Sequence, residues 1–215
     1  MMHNNLLKLE NKFVIIIGGN GYIGKELAKD YDNLGAKVLV LDKQIPKNKN
    51  IKNILYQKFD LNKIQDFKRI FEKIVKIYGC PDLVINSAYP RTKSWAKVNF
   101  QKLKLKDLNE NLSLQLTSFI WSSIKMAEIM KKNKKKGNII IINSIYGKVA
   151  QHKNLYKGTN QKINPIYSAA KGGLITFVKS LASEYGEHGI RANSVVCGGL
   201  SGISASTGKK LLKLF

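Results

Sequence analysis

The sequence predicts a three-layer α/β domain built on a doubly wound parallel sheet. Three observations point that way. Short apolar or β-branched runs alternate with longer segments of helical period, the first run ends in a cluster of glycines, and that run, Phe13–Ile17, is apolar at every position. A strand that is apolar throughout is covered on both faces, and strands separated by helices pair in parallel through crossovers. At 215 residues the chain is long enough for one such domain and too short for two of comfortable size.

Each element follows in order. Phe13–Ile17 is the first strand, and the pattern after the glycines predicts a helix over residues 22–34, stopped by Gly35. Residues 37–41 form a second strand and residues 54–59 a third. A helix over 64–78 is closed by Gly79, and Leu83–Asn86 is the fourth strand. The longest helix is expected over 108–132, because Leu112, Leu116, Phe119, Ser123, Ala127 and Met130 fall on one face. A fifth strand over 139–143, a second long helix over 167–185 and a sixth strand over 190–196 complete the pattern. The polar connection between Ser144 and Tyr167 exceeds ordinary loop length, which marks it as functional. Ile15, Val40, Ile85 and Ile141 are expected in the core. The chain has no internal repeat.

The net charge of +23 invites a nucleic-acid or membrane-surface reading. The kind of cation argues against it. Of the 37 basic residues all but Arg69, Arg91 and Arg191 are lysine, whereas recognition of phosphates and bases favours arginine's planar fork. The densest run, residues 131–136, sits at the expected end of the longest helix, where cations complement the helix dipole. No specific nucleic-acid partner is expected. No apolar stretch reaches the roughly 18 residues of a membrane span, and the early run is too short for a signal-peptide core, so a cytoplasmic protein without membrane insertion is expected. Cys80 and Cys197 form no CxxC pair and join no metal-ligand cluster, so neither a disulfide framework nor a metal is expected.

Gly18-Gly19-Asn20-Gly21-Tyr22-Ile23-Gly24 follows the first strand and opens the first helix. It satisfies G-x-G-x-x-G through Gly19, Gly21 and Gly24, and G-x-x-G-x-x-G through Gly18. Glycine is needed there because the chain turns sharply, lets a pyrophosphate approach the amides, and packs a helix whose N-terminus faces the anion. With strand, motif and helix in that order, Gly18, Gly19, Gly21, Tyr22, Ile23 and Gly24 are expected against a dinucleotide. Asp42 ends the second strand about 20 residues beyond the middle glycine, where a carboxylate accepts both ribose hydroxyls, which favours NAD. Lys25 and Lys43 can attract a 2′-phosphate, so NADP stays open, at a Coulomb cost against Asp42. Asp60, followed by Leu61 at the end of the third strand, is placed either to accept a hydrogen bond from an adenine amino group or to cap the next helix.

Two Tyr-x-x-x-Lys pairs occur, Tyr89/Lys93 and Tyr167/Lys171, and in so lysine-rich a chain the pattern alone is expected by chance. Pro90 disfavours a helix at Tyr89, whereas Tyr167 opens an apolar helix after the fifth strand. There the two side chains share one helix face, and an ammonium can lower the tyrosine pKa from about 10 toward neutrality.

Around that pair stand Asn86-Ser87-Ala88, Asn111, Ile141-Ile142-Asn143-Ser144-Ile145-Tyr146-Gly147 and Arg191-Ala192-Asn193. With these motifs in order, residues 10–199 resemble the short-chain dehydrogenase/reductase family, whose domain is Rossmann-like. The resemblance implies an NAD(P)-dependent enzyme that interconverts an alcohol and a carbonyl by hydride transfer. It implies that Tyr167 is the acid/base, that Lys171 holds the nicotinamide ribose, that Ser144 polarises the carbonyl and that Asn111 supports a proton-relay water, with Asn86 and Ala88 at the cofactor. Hydride transfer to a carbonyl needs a proton donor and an oxyanion partner on one side, which agrees with that set. It implies too a homo-oligomer formed through the two long helices, where Ala169, Ala170, Gly172 and Gly173 permit close approach. The loop over 148–165 resembles a subgroup associated with bacterial surface-glycan and flagellin sugar modification, which implies a small-molecule alcohol or carbonyl substrate derived from a sugar.

Cys197-Gly198-Gly199 stands where the family carries Pro-Gly, and residues 200–215 contain no strand-length β-branched run. The expected organisation is a cofactor-binding domain over residues 1–199 and an atypical tail over 200–215, without the family's substrate lid and last strand. The sixth strand would then be an exposed sheet edge. Two function classes follow: an active oxidoreductase, or a cofactor-binding remnant with little turnover.

Overall fold

The computed structural model describes residues 8–46, 54–157 and 162–199. Its strands, β1 (Phe13–Ile17), β2 (Lys37–Asp42), β3 (Ile54–Lys58), β4 (Leu83–Asn86), β5 (Gly137–Ser144) and β6 (Ile190–Cys197), form one sheet in the order β3-β2-β1-β4-β5-β6. Every pairing is parallel. The α-helices are α1 (Tyr22–Asn33), α2 (Phe67–Tyr78), α3 (Leu105–Leu112), α4 (Ser118–Lys132) and α5 (Pro165–Tyr185). This is the doubly wound three-layer architecture that the alternation of runs predicts.

β1 shows why the sheet has two covered faces. Phe13, Ile15 and Ile17 join a cluster with Phe67 and Phe71 of α2, Phe119 and Met126 of α4 and Leu174 of α5. Val14 and Ile16 join the other cluster, with Ala28 of α1, Ala36, Val38, Val40 and Ile54. The period of two along a strand thus divides one apolar run between two layers. Each such side chain contributes about 1.5–3 kcal/mol on full burial. Ile15, Val40, Ile85 and Ile141 are all buried, as expected.

The strand order reverses between β1 and β4. From that point β2 and β3 lead one way and β5 and β6 the other, so connections leaving the carboxyl ends of β1 and β4 diverge and leave the crevice in which such sheets bind ligands.

Several boundaries differ from expectation. The helix expected to be longest, over 108–132, is neither unbroken nor the longest: it begins at Leu105, a π-turn over Ser113–Thr117 separates α3 from α4, and α5 with 21 residues exceeds both. Leu105 is 72% exposed, so apolar periodicity does not mark that start. The π-turn begins two residues after Asn111, and such turns concentrate at functional sites. A 3₁₀ turn over Ile64–Asp66 precedes α2. α5 begins at Pro165 rather than Tyr167, because Asn164 Oδ1 accepts from the amides of Ile166 and Tyr167 while Pro165 fills the first helical position. The polar loop carries 3₁₀ turns at Ile145–Gly147 and Lys153–Tyr156.

The lysine run at the end of α4 has a structural role. Lys131 and Lys132 occupy its last turn, and Lys135 Nζ lies 2.7 Å from Asp82 Oδ1, while Asp82 Oδ2 accepts the Phe13 amide at 3.0 Å. Among the described residues β6 is the outermost strand on its side, with Val195 47% exposed. The expected tail, residues 200–215, lies outside the described residues. Among the described residues no helix is long and apolar enough to cross a membrane.

Candidate active site

The glycine turn is held by close packing. Gly18 leaves β1 at φ +76°, and a Cβ on it would stand 2.5 Å from Ala88 Cα. A Cβ on Gly24 would stand 2.4 Å from Gly18 O and 2.7 Å from Ser87 Oγ, so α1 sits against the turn only because that position has none. The space beside Gly19 is filled by Val40. Gly21 is the N-cap of α1 and supplies no side-chain acceptor, so the first-turn amides stay open to an anion. Tyr22 is 49% exposed and Ile23 half-buried as the helix begins.

Asp42 closes β2 beside the turn. Its Oδ2 accepts the Asn20 amide at 3.0 Å and its Oδ1 the Gln44 amide at 3.1 Å. A carboxylate has about four lone-pair sites, so acceptor capacity remains. Asp60 Oδ1 accepts from the amide and side chain of Asn62 at 3.0 and 2.9 Å, and Lys43 lies 3.8 Å from its other oxygen. Burial by itself raises the Asp60 carboxyl, but the Asn62 hydrogen bonds with Lys43 and Lys63 outweigh it and hold the group below the usual range. Asp60 therefore stabilises a local turn and is not the cap of α2, whose N-cap is Asp66. Leu61 is buried behind it. Across the crevice, at the end of β4, Asn86 Oδ1 accepts the Ala88 amide at 3.3 Å, while its buried Nδ2 has no protein partner. A buried donor of that kind calls for an acceptor.

The other candidates converge from three elements. Ser144 ends β5, Tyr167 and Lys171 share a face of α5, and Asn111 ends α3. Asn143 Oδ1 accepts the Ser144 amide at 2.9 Å and its Nδ2 donates to Lys171 O at 3.2 Å, which pins β5 to α5. A Cβ on Gly147 would stand 2.7 Å from the Lys171 carbonyl, so the connection is tight there also. Ser144 Oγ accepts the Tyr146 amide at 3.2 Å, and its hydroxyl is close enough to the Tyr167 phenol to act on its pKa. Lys171 is 3% exposed, with Nζ 3.4 Å from Ile142 O and 5.8 Å from the Tyr167 ring centroid, so it is no solvated surface lysine. Asn111 is fully buried; its Oδ1 accepts from the Thr92 hydroxyl at 2.8 Å and its Nδ2 donates to Asp107 O at 2.7 Å.

Burial pushes the Tyr167 phenol above its ordinary 10, and the Ser144 hydroxyl opposes this without overcoming it. Burial likewise pushes the Lys171 ammonium down to about 8, with Cys197 acting to raise it. The lowering of Tyr167 expected from its lysine is not found. Desolvation favours the neutral form of both groups, and Nζ is turned to Ile142 O.

The Tyr167 ring lies edge-on to Tyr89, Trp95 and Tyr146 at centroid distances of 5.9, 6.1 and 6.4 Å. Trp95 Nε1 donates to Tyr89 Oη at 3.0 Å. Tyr89 stands outside any helix, as Pro90 requires, yet it packs on the tyrosine of the other pair. Sequence reasoning missed Tyr89, Thr92, Trp95 and Asn143 as site neighbours, and nothing local marks them. The Asn164-Pro165 helix start was readable and was passed over.

A glycine turn at the reversal point of the sheet, an open helix N-terminus beside it, and a serine, tyrosine and buried lysine across the crevice define a dinucleotide-binding oxidoreductase domain. Residues 12–210 match the short chain dehydrogenase model, and the chain belongs to that family of NAD(P)-dependent oxidoreductases. It is 29% identical over 202 residues to post-translational flagellin modification protein A of Campylobacter coli, covering 89% of this chain and 78% of that one. It is 30% identical over 194 residues to an acetoacetyl-CoA reductase of Synechocystis, covering 89% and 73% respectively. The solved short chain dehydrogenase of Leptospira borgpetersenii with bound NAD+ superposes with a TM-score of 0.83 at 26% identity, over 96% of this chain and 77% of that one.

Proposed function

We propose that this protein uses NAD to interconvert an alcohol and a carbonyl on a small hydroxyl-rich molecule, a sugar-derived intermediate of surface-glycan synthesis, in the cytoplasm. The observation that carries the reading is the meeting of Ser144, Tyr167 and buried Lys171 across the crevice from the glycine turn. The residues suit the cofactor. The uncapped first-turn amides of α1 after Gly21 fit a pyrophosphate, Asp42 has acceptor capacity for ribose hydroxyls, and the unpartnered Asn86 Nδ2 offers a donor farther along. Ala88, Asp60 and Leu61 line the way. Asp42 favours NAD over NADP, and Lys43 is drawn toward Asp60.

The bound nicotinamide supplies or accepts the hydride. Tyr167, kept protonated by burial, donates its proton to the carbonyl oxygen, and in the reverse direction receives it from the alcohol. Ser144 Oγ hydrogen-bonds the same oxygen where negative charge develops. Lys171 holds ribose hydroxyls, and Asn111 supports the route by which the proton is replaced. Tyr89 and Tyr146, both solvent-accessible beside Tyr167, give apolar faces for a sugar ring. The likeness to a flagellin modification protein supports the sugar reading.

The same reading includes a homo-oligomer through α4 and α5. Trp121 on α4 is 38% exposed under Lys125 Nζ, 4.1 Å from its ring, and Ala169 and Gly173 on α5 are exposed. Ala170, expected on that surface, is buried within the protomer instead. Sedimentation should give a dimer; a monomer at all concentrations removes this part. The function is tested by thermal unfolding with each cofactor followed by turnover assays on polyols and sugars. NAD should raise Tm more than NADP, because a ligand that binds only the folded state stabilises it by mass action. No response to either overturns the assignment.

A further inference from the structure

The loop after β4 and the start of α3 border an open pocket of about 580 Å³, lined by the exposed Lys93, Lys97, Lys102, Lys104 and Lys106 and by Asp107 and Glu110. Lys106 pairs with Glu110 at 3.9 Å, but among the described residues Lys93, Lys97, Lys102 and Lys104 pair with no carboxylate. A second feature of the same wall needs an acceptor. The N-cap of α3 is Lys104, which supplies no side-chain hydrogen bond, so the amides of that first turn are uncapped where Lys104, Lys106 and Asp107 line the pocket. Lysine abundance along the chain explains scattered ammonium groups; it does not explain four unpaired ones closing on one cavity beside an uncapped helix start.

The pocket adjoins the candidate active site. Its Ser94 lies 3.1 Å from the Thr92 hydroxyl, which donates to Asn111, and the next residue, Trp95, packs on Tyr167. Asp107 of its wall holds the other end of the Asn111 amide. No residue of the glycine turn or of β2 lines it, so an anion here is held by groups separate from those expected at the cofactor.

We propose that this pocket binds a phosphoryl group borne by the substrate, so that the molecule turned over is a phosphorylated alcohol or carbonyl compound. Lysines act as point charges toward phosphate, and several unpaired ammoniums match a dianion better than a single carboxylate. The pocket exceeds the size of the ion, which leaves room for the organic body that carries it. The substrate half of this proposal rests on the oxidoreductase reading above, whereas the anion site does not.

Calorimetric titration at fixed ionic strength tests it, with glycerol phosphate, glycerol, inorganic phosphate and chloride as the probes. Glycerol phosphate should bind and glycerol should not. The triple variant Lys97→Gln/Lys102→Gln/Lys104→Gln should bind the ester at least about tenfold more weakly, as expected for lost charge-assisted contacts. Its Tm should still rise with NAD as in the unaltered protein, which shows that it is folded. The ester's affinity should also fall steeply with salt, since exposed charges are screened over about 8 Å at physiological ionic strength. Inorganic phosphate binding as tightly as the ester would assign the pocket to the free anion and overturn the substrate half. Heats no larger than chloride gives, or an undiminished triple variant, would overturn the site itself. Ester binding without any NAD response would instead sink the cofactor assignment and leave the pocket standing.

Discussion

The half of the sheet built on β1, β2 and β3 and the half built on β4, β5 and β6 are made of different materials. Among the described residues every buried polar or charged residue, from Asn86 and Asn111 through Ser144 to Lys171, lies in β4 or β5, in the loop after β4 that carries Asn99, or on the helices from α3 to α5. The fully buried side chains of the first half are aliphatic and aromatic, and its one buried polar atom without a partner among the described residues is Asp32 Oδ1 on α1. A dinucleotide is bound by backbone amides and a helix terminus, which demands close approach, so the first half relies on glycine and tight apolar packing. Proton transfer demands oriented side chains, so the second half buries polar groups despite a cost of about 1–3 kcal/mol for each one left unbonded. It satisfies most of them internally, as with Asn111 and Asn143, and leaves Asn86 Nδ2 and Gln115 Oε1 without protein partners.

The largest effect that would break this contrast is at Tyr167. Tyr167→Phe keeps the ring among Tyr89, Trp95 and Tyr146 but removes the hydroxyl, so turnover should fall roughly a hundred- to ten-thousand-fold while NAD still raises Tm. Undiminished turnover would remove Tyr167 from the reaction and leave the second half a mere polar core. The first half answers to volume instead: Gly24→Ala places a Cβ 2.4 Å from Gly18 O and should destabilise the protein by about 1–3 kcal/mol. Urea unfolding reads the stability, and weakened cofactor stabilisation should accompany it. A variant as stable as the original would show that α1 yields at no cost. Asp42→Ala removes a charged acceptor and should narrow any NAD preference by about tenfold, as read from cofactor titrations. A preference left intact would place ribose recognition elsewhere.

The smallest effect is a pH dependence confined to the second half. Lys171 titrates in the fold at about 8, below its ordinary 10.5, through burial first. Between those values the unfolded chain binds more protons, so the lysine's contribution to stability rises with pH, by at most about 1.4 kcal/mol per unit. It is at its least favourable below pH 8. Tyr167, raised by burial, acts in the opposite sense only above its ordinary 10. Urea unfolding at a series of pH values should therefore show the unaltered protein gaining on Lys171→Met as pH climbs from 8 toward 10. A constant difference would mean that the ammonium is no more desolvated than in the unfolded chain.

The sequence by itself determined what local periodicity and local chemistry encode. The strands, the glycine turn, Asp42 at the end of β2, and the choice of Tyr167/Lys171 over Tyr89/Lys93 were all legible, because an apolar run, a required glycine or a proline acts within a few residues. Only the tertiary structure decided contacts that close across the chain. Thr92 meets Asn111 at a separation of 19 residues, Asn143 reaches Lys171 O across 28, and Asn164 reaches Trp95 O across 69. The start of α3 was hidden because Leu105 faces solvent, and the π-turn after Asn111 because its residues keep an ordinary helical composition. The protonation of the site was undecidable for the same reason. Spacing puts a lysine one turn from a tyrosine, but the water each loses depends on every element packed around them, and here that loss shifts each pKa in the direction that favours the neutral form.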